Sequence, residues 1–168
     1  MEAVVYISNT GSTEHYAKLL GHELSVSVYS TEEAGNKLPA GTEIIYLGWI
    51  MAGKIQGYGL ARKKYKICAV CAVGMGQTGT QRKEIREKNN IPGKIPVFTL
   101  QGNFSVEKLH GMYKMMMSIM VKTAGKALEK KADRTPEEED MLDMMLHGGE
   151  RVRIQNLQGV ISWYNSKR

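Results

Sequence analysis

The sequence predicts an α/β fold in which a doubly wound, five-stranded parallel sheet, ordered 2-1-3-4-5, is covered by helices. Three observations predict it. Short apolar runs of strand character alternate with helix-like stretches through roughly the first hundred residues. The first run opens directly into a hydroxyl-rich loop and then a helix, the arrangement by which open α/β sheets carry ligand loops at their strand ends. After the fifth run the pattern changes to helical spacing. The 168 residues fit one domain, 1–168, with a sizeable core and a Met-rich helical insertion at about 105–149.

The elements follow in order. Ala3-Val4-Val5-Tyr6-Ile7 reads as a short buried strand, and Glu14 to Leu24 as a helix with Ala17, Leu20 and Leu24 on one face. Val26 and Val28 alternate with serines, which suggests a second strand. Leu38 to Thr42 is turn material. Glu43 to Gly48 reads as the third strand, Trp49 to Lys54 as a loop, and the residues up to about Lys64 as a helix. Lys66 to Val73 is the fourth strand, Gly74 to Gln77 its loop, and Thr78 to Asn89 a charged helix. Ile95 to Leu100 is the fifth strand.

The loop Ser8-Asn9-Thr10-Gly11-Ser12-Thr13 carries the chemistry. Backbone N–H groups converge in such a loop, and the helix behind it adds a favourable dipole, so the site suits an anion. Ser8, Thr10, Ser12 and Thr13 offer four hydroxyls with no added positive charge, which fits a phosphate monoester. The spacing is neither that of a P-loop, which needs a lysine, nor the dinucleotide Gly-x-Gly-x-x-Gly. An ordinary capped turn is the plainer alternative.

The pattern hydroxyl-x-Thr-Gly-x-Thr after the first strand resembles the FMN phosphate loop of the flavodoxin family. The resemblance implies a flavodoxin-like fold with FMN as cofactor, held by Ser8 to Thr13. It also implies that Trp49, Ile50, Met51, Ala52 and Gly53 cover one face of the flavin. Gly74, Met75, Gly76 and Gln77 would wrap its pyrimidine end. Two departures stand out. Carrier flavodoxins usually have an acidic surface, and their fourth-strand loop typically carries an acid and a second aromatic. Here the net charge is +6, and Gln77 and Thr78 occupy that loop. A neutral or basic setting should raise the flavin potential relative to an acidic carrier.

The tail holds eight of the eleven methionines, between Met112 and Met145. Leu109, Met112, Met116, Ile119 and Met120 have helical spacing, and Met115 and Met117 widen the row. Thr135-Pro136 followed by three glutamates reads as a helix start, and Gly148-Gly149 as its stop. Leu157, Val160, Ile161 and Tyr164 suggest a last covering helix. A Met-rich helix containing Lys122-Thr123-Ala124-Gly125, then a terminal amphipathic helix, resembles the quinone-linked, flavodoxin-like protoporphyrinogen oxidases. That resemblance implies electron exchange between a small or porphyrin-like substrate and a quinone. The methionines read as core filling, or else as an exposed surface for a quinone, a porphyrin or a peripheral membrane contact beside Lys108, Lys114, Lys122 and Lys126.

Other features mainly exclude. No apolar stretch reaches the roughly 20 residues of a membrane span, and no leader pattern precedes the first strand, so a cytoplasmic protein is expected. Cys68 and Cys71 lie in a strand-like run, where residues three apart face opposite ways, so buried free thiols are expected rather than a redox or metal pair. The histidines His15, His22, His110 and His147 are scattered without metal-ligand spacing, so no metal is expected. Basic clusters without interleaved aromatics point away from nucleic acid and towards an acidic redox partner protein or an anionic surface. Three functions remain open: an FMN-dependent oxidoreductase, a soluble flavodoxin-type electron carrier, and a flavin-free binding module.

Overall fold

The computed structural model describes residues 1–104, 108 and 111–168. Six strands are formed: β1 (Ala3–Ile7), β2 (Ser27–Ser30), β3 (Glu43–Met51), β4 (Lys54–Ile55), β5 (Lys66–Gly74) and β6 (Val97–Gln101). The helices are α1 (Ser12–Leu24), α2 (Thr31–Lys37), α3 (Tyr58–Lys64), α4 (Arg82–Lys88), α5 (Gly111–Met120), α6 (Lys126–Lys130), α7 (Pro136–His147) and α8 (Gln158–Asn165). A π-helical stretch, Val121–Gly125, joins α5 to α6, and a 3₁₀ turn, Ile154–Leu157, precedes α8.

Five strands pair in parallel in the order β2-β1-β3-β5-β6, the order expected once the short β4 is set aside. Parallel pairing requires crossovers, and the helices supply them on both faces. Along β1 the side chains alternate: Ala3 and Val5 enter one core, Val4 the other. The first core is closed by Ala34 of α2, Tyr58 and Ala61 of α3 and Ile85 of α4. The second is closed by Tyr16, Ala17 and Leu20 of α1 and by Val160 and Tyr164 of α8. Because Ile7 pairs with Gly48, Trp49 with Val73 and Gly74 with Gln101, four strands end level at one edge. The loops that follow them therefore open on the same side.

Several boundaries differ from the sequence reading. Trp49 to Met51 is not a loop but the end of β3, which turns through Ala52 (φ 49°) and Gly53 (φ 78°) into antiparallel β4. Two positive φ values in a two-residue turn match the right-handed twist of a hairpin. The unread helix α2 starts at a capping box, with Ser30 accepting from the Glu33 N–H and Glu33 accepting from the Ser30 N–H. Helix α4 begins at Arg82 rather than Thr78, and β6 at Val97 rather than Ile95.

Cys68 sits where β5 slips register, since Ile44 pairs with Ile67 but Ile45 with Ala69. Strict alternation therefore fails across Cys68. Both cysteines are free thiols, and burial raises both above the usual thiol range. The tail methionines divide. Met144 and Met145 are buried, whereas Met112, Met115 and Met116 are exposed, so core filling describes α7 and not α5. Leu109, His110 and the insertion's first residues, 105–107, lie outside the described residues. Among the described residues no helix is long and apolar enough to cross a membrane.

Candidate functional site

The level strand ends enclose a cleft of about 490 Å³. From the first loop Asn9, Thr10, Ser12 and Thr13 line it; from the β3 hairpin Trp49, Ile50, Met51 and Ala52; from the β5 loop Gly74, Met75, Gly76 and Gln77. Three loops singled out in the sequence thus meet in one cavity. Ser8, Gly11 and Gly53 are not on its wall. The Ser8 hydroxyl accepts the Gly11 N–H at 3.2 Å, closing the loop on itself, and Gly11 (φ 99°) makes the left-handed step into α1. Gly53 forms the hairpin tip, its carbonyl accepting from Asn89 Nδ2 at 2.8 Å.

The sequence reading missed the fourth loop. Thr99, Gly102, Asn103 and Phe104 also line the cleft. Gly102 packs so close that an added Cβ would lie 3.0 Å from Val73 Cγ1 and 3.2 Å from Ser12 Cβ. The next residue uses that approach: the Asn103 N–H donates to Ser12 Oγ at 3.0 Å. In that contact the Ser12 hydroxyl is the acceptor. The β5 loop is pinned too, because Thr80 Oγ1 donates to the Gln77 carbonyl at 2.7 Å and Thr99 Oγ1 to the Thr80 carbonyl at 2.6 Å.

A polar lattice behind these loops ties them to the tail. Tyr16 Oη donates to the Gln101 carbonyl at 2.6 Å and accepts from Asn156 Nδ2 at 2.6 Å. Burial raises the Tyr16 pKa, so the hydroxyl stays a donor. Asn103 Oδ1 accepts the N–H groups of Arg151 and Val152. The Arg151 guanidinium in turn reaches Asp140 at 3.4 Å and Asp143 at 3.0 Å on α7. Gln101 Nε2 donates to Asp140 as well. These contacts anchor α7, whose Met141 lines the cleft together with Met116, Met117 and Met120 of α5.

Among the described residues that line the cleft, none is charged and none is histidine. The wall combines hydroxyls, amides and backbone groups with apolar side chains, several of them thioethers. No His, Cys, Asp or Glu group among the described residues is arranged to hold a metal ion. A wall of this kind could hold and orient a small molecule. Comparison with family models, with curated proteins and with solved structures gave no match.

Proposed function

We propose that the chain is an FMN-binding redox protein with a flavodoxin-like fold. The observation that carries the proposal is the convergence of the loops after β1, β3 and β5 on one uncharged cleft beside the point where the strand order reverses. The cleft volume falls within the roughly 300–1,000 Å³ typical of small-molecule sites. Ser12, Thr13 and Thr10 stand at the start of α1, where hydroxyls and backbone N–H groups suit a phosphate. Trp49 and Ile50 supply a flat apolar wall for a ring system, and Met75 to Gln77 supply amide and backbone partners for its polar edge. Bound there, FMN would supply one- and two-electron chemistry; the residues bind it, orient it and keep water from it.

An enzyme is favoured over a simple carrier by the methionine wall. Met116, Met117, Met120 and Met141 extend the cleft beyond the strand-end loops with adaptable thioethers, which suit a second apolar partner such as a quinone or a porphyrin-like ring. Exposed Met112, Met115 and Ile119, with Lys114 and Lys122 on the same segment, extend the proposal to a peripheral membrane contact on the cytoplasmic side.

The test is a titration of the purified protein with FMN and, separately, with riboflavin. The expected outcome is a two-band visible spectrum with quenched fluorescence for FMN, and far weaker binding of riboflavin, which lacks the phosphate. A protein that ignores FMN would sink the proposal and leave a flavin-free binding module. Given FMN binding, turnover of protoporphyrinogen with a menaquinone analogue separates enzyme from carrier.

A further inference from the structure

The net positive charge of the chain resides in one region. Residues 44–94 hold ten Lys and Arg against two Asp and Glu, a net +8, whereas the remainder holds thirteen against fifteen, a net −2. Between Glu43 and Glu84 there is no carboxylate. Within this segment α3 and α4 cover the same face of the sheet and the β3–β4 hairpin packs beside α4, while Lys66, at the start of β5, pairs with Glu43 at 2.6 Å.

Contacts make the patch continuous. Lys88 lies against Gly53 at the hairpin tip, and Lys54 Nζ donates to the Lys88 carbonyl. Asn89 bridges hairpin and helix, accepting the Ile55 N–H at 2.8 Å and donating to the Gly53 carbonyl. Beyond it, Arg62 of α3 donates to the Asn90 carbonyl at 3.5 Å. The two carboxylates are spent locally, Glu84 on Lys88 at 2.7 Å and Glu87 on Lys83 at 4.0 Å. Among the described residues no carboxylate lies within 4 Å of Lys54, Arg62, Lys63 or Arg86. Leu60, 75% exposed, stands among these cations on α3.

We infer that this face docks an acidic protein against the hairpin rim of the cleft. Charge complementarity selects an anionic partner and speeds its encounter. Protein is favoured over nucleic acid because base stacking needs exposed rings, and the aromatic rings of α3 and its C-terminal flank, Tyr58 and Tyr65, are buried. The exposed aliphatic Leu60 supplies instead the apolar anchor that protein interfaces use. The rim matters because Ile50, Met51 and Ala52 of the same hairpin line the cleft, so a docked partner sits beside whatever the cleft holds. That this partner exchanges electrons rests on the flavin proposal; the surface itself does not.

The experiment is an NMR titration of the full chain with an acidic plant-type ferredoxin as probe, with and without FMN, at low and high salt. Shifts should cluster on the hairpin, α3 and α4 and vanish at high salt. The double variant Lys54→Glu with Lys63→Glu should lose about tenfold or more in affinity. The pair Lys122→Glu with Lys126→Glu makes the same change in net charge elsewhere and should bind as the parent does. Folding of each variant is checked by circular dichroism, and both keep the cleft wall intact. Shifts centred elsewhere, equal losses in both variants, or tighter binding of a single-stranded DNA oligomer to the same face would overturn the inference. A protein that docks ferredoxin here but ignores FMN would fail the flavin proposal alone.

Discussion

Helices α5 and α7 carry the same unusual residue to opposite fates. In α7, Met144 is fully buried and Met145 nearly so; in α5, Met112 and Met115 are 66% and 59% exposed. Both are rich in methionine, so methionine content does not separate them. What separates them is anchorage. Helix α7 begins with a complete capping box between Thr135 and Glu138, and Lys131 pairs with Glu138 at 2.6 Å. Its Asp140 and Asp143 hold Arg151, which the Asn103 side chain fixes through the backbone. Helix α5 shows no ion pair among its described residues and passes into a π-helical stretch, where Thr123 Oγ1 turns back to the Ile119 carbonyl at 2.9 Å. A methionine stripe therefore says little about burial until the polar contacts around it are known.

The comparison breaks first at the buried methionine. Met144→Ala should cost about 2–5 kcal/mol in urea unfolding, as for other fully buried large-to-small changes, and Met115→Ala less than about 0.5 kcal/mol. Equal costs would mean that α5 is packed as tightly as α7. A smaller effect tests the anchorage itself. Thr135→Ala should cost about 1 kcal/mol and raise hydrogen exchange at the start of α7 while leaving the sheet unchanged. Loss of protection across the whole chain would show instead that α7 and the sheet unfold together.

The smallest effect is that of acid. The Lys131 ammonium, then the Thr135 N–H, holds the Glu138 carboxyl below its ordinary value of 4.5, and His147, then Arg151, holds Asp143 below 3.8. Depressed carboxyl pKa values stabilise the fold above the unfolded values, and that stability is lost as pH falls through the folded ones. Methionine methyl NMR should therefore show the α7 signals shifting below about pH 4.5, with Glu138→Gln removing part of the change. Solvent exposure of both carboxylates keeps this effect modest. No pH dependence in α7 would remove these ion pairs from the account of its anchorage.

The inner strands β1, β3 and β5 were legible because each is a nearly continuous apolar run, whereas the edge strand β2 showed only valines alternating with serines. Helix α2 was not legible, since Thr31 to Lys37 holds a single apolar residue, Ala34, and no periodicity to read. Its Ser30-x-x-Glu33 signature was present all the same. The hairpin was hidden by Ala52, a residue that rarely takes positive φ. In the cleft, three loops were legible from their place at strand ends, the first from its hydroxyls and the other two, Trp49 to Gly53 and Gly74 to Gln77, through the resemblance. Gly102 and Asn103 were not, because the closeness that requires a glycine there is set by Ser12 and Val73, far away in sequence. The division of the methionines was likewise beyond reach, since it depends on Arg151 finding Asp140 and Asp143.

The lattice around Tyr16 also sets a timetable. Synthesis delivers the hydroxyl loop within the first 13 residues, yet Tyr16, one turn further along, finds one hydrogen-bond partner at Gln101 and another at Asn156. The strands can pair as they emerge, because each new one lies beside an earlier one or completes an edge. The cleft follows another clock. Until Asn156 has been synthesised, Tyr16 lacks that partner, 140 positions downstream. The polar closure behind the first loop is therefore among the last features of the fold to form.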